Sequence, residues 1–125
     1  MIALDVMGGD RAPEATLAGA IRWARSTGSR PILVGDLTII HRLLDRGGED
    51  PAAWTSVSAP VTVGMDAQPV KAIRSLPEAS IRRCAELVKS GQAQALVSMG
   101  NTGAALAAGV LVVGRATGVE RPGLA

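Results

Sequence analysis

Two glycine-containing stretches hold the residue types that could do chemistry. "DVMGGDRAP", residues 5–13, places Gly8 and Gly9 between Asp5 and Asp10, just ahead of a helix start. "SMGNTGA", residues 98–104, sets Ser98, Gly100, Asn101, Thr102 and Gly103 between two apolar runs. Glycine lets a backbone amide come close to a ligand. The unpaired amides of a first helical turn, together with the helix dipole, favour an anion, and phosphate is the obvious one. Neither stretch reads G-x-G-x-x-G, and the second lacks the Lys-Ser/Thr ending of a Walker loop. A nucleotide such as ATP or NAD is therefore not called for. Composition alone leaves two readings open, an anion cradle and a pair of tight turns.

A third stretch, "MDAQPVKAIRSLPEAS" (residues 65–80), offers Asp66, Lys71 and Arg74. Pro69 can open a short helix there and Pro77 can end it. A basic pair on that helix could face a phosphate or could be a solvated face. Asp5, Asp10 and Asp66 have an equally simple reading, because short carboxylates beside glycines accept backbone hydrogen bonds and brace a loop. Two further residues carry no assignment. Cys84 falls on an apolar helical stripe and reads as an inert core thiol. His41 sits mid-helix with no metal-ligand spacing around it.

The elements that must position these loops alternate between strand-length apolar runs and helix-period segments. "IALDVM" (residues 2–7) predicts a buried strand, and a helix follows from Pro13, with Leu17, Ile21 and Ala24 on one face and Gly28 ending it. Residues 31–34 predict a second strand. Asp36 then caps a helix carrying Leu37, Ile40 and Leu44, which stops at Gly47–Gly48. "TSVS" and "PVTV" offer a third strand, and residues 45–54 a loop. Ile81, Cys84, Ala85 and Val88 make one helical stripe that stops at Gly91. "ALVS" predicts a strand, and residues 102–114 a helix with apolar residues on almost every side, hence buried all round, either centrally or at a subunit contact. This alternation predicts a mostly parallel α/β sheet with right-handed crossovers and helices on both faces, in three layers.

The totals agree with one domain or one piece of a larger one. The chain has 125 residues, 47% of them hydrophobic, which excludes intrinsic disorder. A net charge of +2 without basic clusters, and only two aromatic residues, leave no nucleic-acid footprint. The single cysteine permits no internal disulfide and favours a reducing compartment. The first ten residues lack a basic leader, and residues 104–113 are about half the ~20 a membrane span needs. The expectation is a cytoplasmic protein.

With these stretches placed, the chain resembles the bacterial phosphate acyltransferases of phospholipid synthesis (the PlsX family). The resemblance rests on "IALDVMGGDRAPE", "MDAQPVKAIR" and "ALVSMGNTGAALAAG…GR…GVERPGLA", in order and in register from residue 1 to 125. It covers this whole chain, taken as a single α/β domain, but only the N-terminal part of a family member. It implies the isocitrate/isopropylmalate dehydrogenase-like fold, incomplete in this chain. It further implies transfer of a fatty acyl group from acyl–acyl carrier protein to inorganic phosphate, with no metal or other cofactor. A dimer is implied, cytoplasmic and peripherally membrane-associated, which passes acyl phosphate to a membrane glycerol-3-phosphate acyltransferase.

Laid on this sequence, the resemblance makes Asn101, Thr102 and Asp10 the candidates for contact with reacting atoms. Gly8, Gly9, Ser98, Gly100, Gly103, Arg74 and Asp66 become candidates for holding phosphate or substrate. Three positions depart from the family pattern. Arg11 stands where a His is usual, residues 75–77 read Ser-Leu-Pro, and Met99 replaces a small residue. Arg11 is a permanent cation and cannot exchange a proton near neutrality. The competing reading is a non-catalytic remnant of that family that binds a phosphorylated ligand or a partner subunit. A dinucleotide-binding oxidoreductase is disfavoured by the missing fingerprint.

Overall fold

The computed structural model describes residues 1–123. Strands β1 (Ile2–Asp5), β2 (Ile32–Gly35), β3 (Ser56–Ser58) and β4 (Ala95–Val97) form one sheet, all parallel, in the order β3-β2-β1-β4. Leu4 is registered against Leu33 on one side and Val97 on the other. Helices α1 (Glu14–Thr27) and α2 (Leu37–Arg46) cover one face, where Leu17, Ile21, Ile40 and Leu44 meet Leu4, Val6 and Leu33. Helix α4 (Ser80–Lys89) covers the other, where Cys84 and Leu87 meet Ala3, Ile32 and Val34. Successive strand residues thus point to opposite layers, as the pleat demands. Helices α3 (Pro69–Ser75) and α5 (Thr102–Ala108) join α4 in a second cluster built from Ile73, Ile81, Ala104 and Ala108.

Local chemistry sets the boundaries. Asp36 caps α2 by accepting the amides of Thr38 and Ile39 at 2.9 and 3.2 Å. Gly28 ends α1 in a left-handed conformation (φ 74°) that other residues rarely adopt. β1 stops at Asp5 rather than running to Met7, because the Asp5 side chain takes the amides of Met7 and Gly8 and turns the chain. β2 begins one residue after Pro31, whose nitrogen has no proton for the ladder. Of the two segments offered for the third strand only Ser56–Ser58 joins the sheet; Val61 makes an isolated bridge to Ala79. The loop expected from residue 45 begins only after α2 ends at Arg46, and it closes on a buried Trp54 through a 3-10 turn at Pro51–Ala53.

The last helix is a correction. The α-helix ends at Ala108, and Gly109–Val113 continue it as a wider π-helical turn. Within this chain it is not buried all round: Leu111 and Val113 are 41% and 38% exposed, which corrects the expectation of central burial.

Gly19 is a mid-helix glycine of α1 with nothing within 4 Å of the place a Cβ would occupy. Alanine there removes backbone freedom from the unfolded chain without a clash. Gly19→Ala is expected to stabilise the protein by about 0.4–1 kcal/mol. Thermal unfolding checks it, and a lowered midpoint would contradict it.

Candidate functional site

The connections leaving β1 and β4 run to opposite faces, β1 into α1 and β4 into α5. These strands are neighbours, so their carboxyl ends flank a topological switch point. In open α/β sheets that is where the crevice for a ligand lies. The two glycine loops face each other across it.

Their approach is close. A Cβ added to Gly100 would lie 3.1 Å from the Cα of Gly8, and one on Gly9 would lie 3.3 Å from the Cβ of Met99. Gly9 has φ 126°, a conformation that excludes other residues without strain. Asp5 lies beneath, only 2% exposed. Its Oδ1 accepts the amides of Met7 (3.2 Å) and Gly8 (3.1 Å), and its Oδ2 accepts the Ser98 hydroxyl at 2.7 Å. The Ser98 oxygen in turn accepts the Gly100 amide at 3.2 Å. Asp5 therefore braces its loop. The chemical signal was visible in the sequence, a short acid three residues ahead of Gly-Gly; its partner 93 residues away was not.

Asn101 caps α5. Its Oδ1 accepts the Ala104 amide at 3.0 Å, and its Nδ2 donates to the carbonyl oxygens of Gly64 (2.9 Å), Met65 and Ala67 (both 3.4 Å). The side chain is 9% exposed and fully engaged, so it ties the segment ahead of α3 to the start of α5. Gly103 is equally constrained: a Cβ there would meet Pro69 Cγ at 2.6 Å. Pro69 and the carbonyls of residues 64–67 are the partners that sequence reasoning missed, because nothing in the spacing couples residues more than thirty apart.

Thr102 is the exposed first residue of α5. Among the described residues the amides of Thr102, Gly103, Gly9 and Asp10 have no hydrogen-bond partner. Those amides and the Thr102 hydroxyl are among the free donors of the two loops. Asp10 and Arg11, both exposed, stand with Gly9 and Met99 at one end of a groove of about 600 Å³ that runs between α1 and β4 to Trp23. Asp66, Lys71 and Arg74 are exposed on the α3 side. The guanidinium of Arg82 reaches the C-terminal carbonyls of α3 at Ile73 (2.9 Å) and Arg74 (3.4 Å). Burial, and secondarily the Asp5 charge, push the Cys84 thiol well above its usual range, so it is no nucleophile. No group of three or more metal-ligating side chains occurs among the described residues.

What the crevice can do follows from this. It offers free amide and hydroxyl donors around a gap closed by glycines, with the exposed Asp10 carboxylate at its rim. That suits an anionic substrate that brings its own nucleophilic oxygen.

A family profile described as "fatty acid synthesis protein" matches residues 1–125. The chain belongs to that family. It is 48% identical, over 98% of its length, to a phosphate acyltransferase of Thermus thermophilus, of which it covers 36%. Its identity to the phosphate acyltransferase of Oleidesulfovibrio alaskensis is 42% over the whole chain and 36% of that protein. Identity to that of Latilactobacillus sakei is 45% over 98% of the chain, again 36% of the relative. The chain thus spans little more than a third of the length of these acyltransferases. No helix among the described residues is long and apolar enough to cross a membrane.

Proposed function

We propose that this chain is the N-terminal α/β portion of an acyl–acyl carrier protein:phosphate transacylase, with the isocitrate/isopropylmalate dehydrogenase type of sheet once its remaining strands are added. An oxygen of inorganic phosphate attacks the thioester carbonyl carbon of acyl–acyl carrier protein. The C–S bond then breaks, the carrier thiol leaves, and acyl phosphate is released for glycerol 3-phosphate acylation at a membrane acyltransferase. The working form is a cytoplasmic homodimer. No cofactor takes part.

The observation that carries this reading is the pairing of two glycine loops with free amides at the switch point of a chain from this family. Phosphate is largely a dianion near neutral pH, so the site needs to hold and aim it rather than activate it. Placement alone contributes up to ~7–11 kcal/mol toward such a step. A donor aimed at the developing oxyanion is worth ~3–4 kcal/mol. The amides of Gly9, Asp10, Thr102 and Gly103 and the Thr102 hydroxyl are assigned to phosphate and oxyanion. Gly8, Ser98, Gly100 and Asn101 are assigned to holding those donors in place, and Arg74 and Asp66 to the rim.

Hydroxylamine trapping of acyl phosphate, with acyl–acyl carrier protein and phosphate as substrates, tests the proposal. The chain alone is expected to turn over little, and the same chain with the remaining two-thirds of the acyltransferase restored is expected to be active. Thr102→Ala in the restored enzyme should lower turnover at limiting phosphate. A restored enzyme that yields no acyl hydroxamate would leave only the non-catalytic reading.

A further inference from the structure

We propose that Asp5 and Ser98 form a carboxylate–hydroxyl clamp that sets the gap between the two glycine loops, and that both are positioning residues for phosphate. The inference rests on the phosphate reading above but adds Asp5, and the bond through which it couples the two loops. Asp5 is the sole buried acid among the described residues, and no arginine or lysine pairs with it there. A buried carboxylate is costly unless its oxygens are hydrogen-bonded. This one is held by three donors, at 3.2, 3.1 and 2.7 Å.

The three donors do not come from one element. Two belong to the loop after β1 and one to the loop after β4, and Ser98 relays the bond to the Gly100 amide. A single chain of hydrogen bonds therefore runs Gly8–Asp5–Ser98–Gly100 across the floor of the crevice. The space above it is full: a Cβ on Gly8 would come within 2.5 Å of Asp5 Oδ2 and 2.9 Å of Ser98 Oγ. Neither loop can shift toward the other, and the clamp stops them moving apart. Asp5 is too buried to touch a substrate, so its effect must pass through the loops. A charge-assisted hydrogen bond is among the stronger ties available for this.

Amide-resolved NMR of the 15N-labelled chain, titrated with inorganic phosphate, tests the clamp without requiring turnover. In the unaltered chain the amides of Gly9, Asp10, Thr102 and Gly103 are expected to shift. Ser98→Ala is expected to weaken phosphate at least about tenfold, the scale of one lost charge-assisted bond. The amides of Leu44 and Trp54, buried at the far side of the α1–α2 core, should not move. Ser98→Thr keeps the hydroxyl and should restore affinity to within about threefold. Asp5→Asn keeps the shape and serves as the second variant, with an affinity between those of the unaltered chain and Ser98→Ala. Unchanged phosphate affinity in both Ser98→Ala and Asp5→Asn, with folded spectra, overturns the clamp and leaves the phosphate site standing. No phosphate shift at any loop amide of the unaltered chain overturns the phosphate site and the clamp with it.

Discussion

Asn101→Ala is expected to lower stability by roughly 1.5–2.5 kcal/mol, the sum of a lost helix cap (~1) and a lost part-buried hydrogen bond (~0.5–1.5). The cap is the Asn101 Oδ1 bond to the Ala104 amide, and the orphaned acceptor is the Gly64 carbonyl. Asn101→Asp separates these two contributions. Its carboxylate can still accept from Ala104, but it points an oxygen at three carbonyls that had shared an N–H donor. Measured by urea unfolding against the unaltered chain, both variants should be destabilised. An Asn101→Asp protein as stable as the unaltered chain would show that the Gly64 bond contributes nothing.

Gly103→Ala is the second large effect, expected to cost about 1–3 kcal/mol as an overpacking substitution. The new methyl would lie 2.6 Å from Pro69 Cγ and 3.3 Å from its Cβ. Pro69 is a ring fixed to the backbone at the first turn of α3, not a flexible tip that can swing aside, so α3 and α5 must separate. That movement also pulls on the Asn101 tether to residues 64–67, and phosphate affinity should fall with stability. The contrast with Gly19 is the check: the same Gly→Ala change should raise the unfolding midpoint in α1 and lower it in α5. A Gly103→Ala protein as stable as the unaltered chain would mean that the α3–α5 contact is loose.

The sheet and the helix faces were readable in the sequence because periodicity reports which side of an element is buried. Leu17, Ile21 and Ala24, and Ile81, Cys84 and Ala85, all face the core as their spacing requires. Caps were readable for the same reason, since Asp36 and Gly28 act on neighbours in the chain. The roles of Asn101, Ser98 and Gly103 were not, because each is decided by a partner brought in by the fold. Asn101 meets carbonyls 34 to 37 residues away, and Ser98 meets a carboxylate 93 away. A loop sequence announces that bare amides and small polar groups are present; only the three-dimensional arrangement says which are already taken. The apolar run after Ala108 shows the opposite limit. Hydrophobicity marks a surface that something should cover without saying what does, and within this chain Leu111 and Val113 stay 41% and 38% exposed.

Cys84 lies sealed between α4 and the sheet, with no exposed surface at all. It is also the only thiol in the chain. A disulfide-exchange reagent added to the folded protein therefore reaches its target only in molecules where α4 has lifted away, and the colour it releases acts as a clock for that opening. Followed with and without phosphate, the same clock would tell whether filling the crevice at one end of the sheet slows the breathing of the layer beneath it.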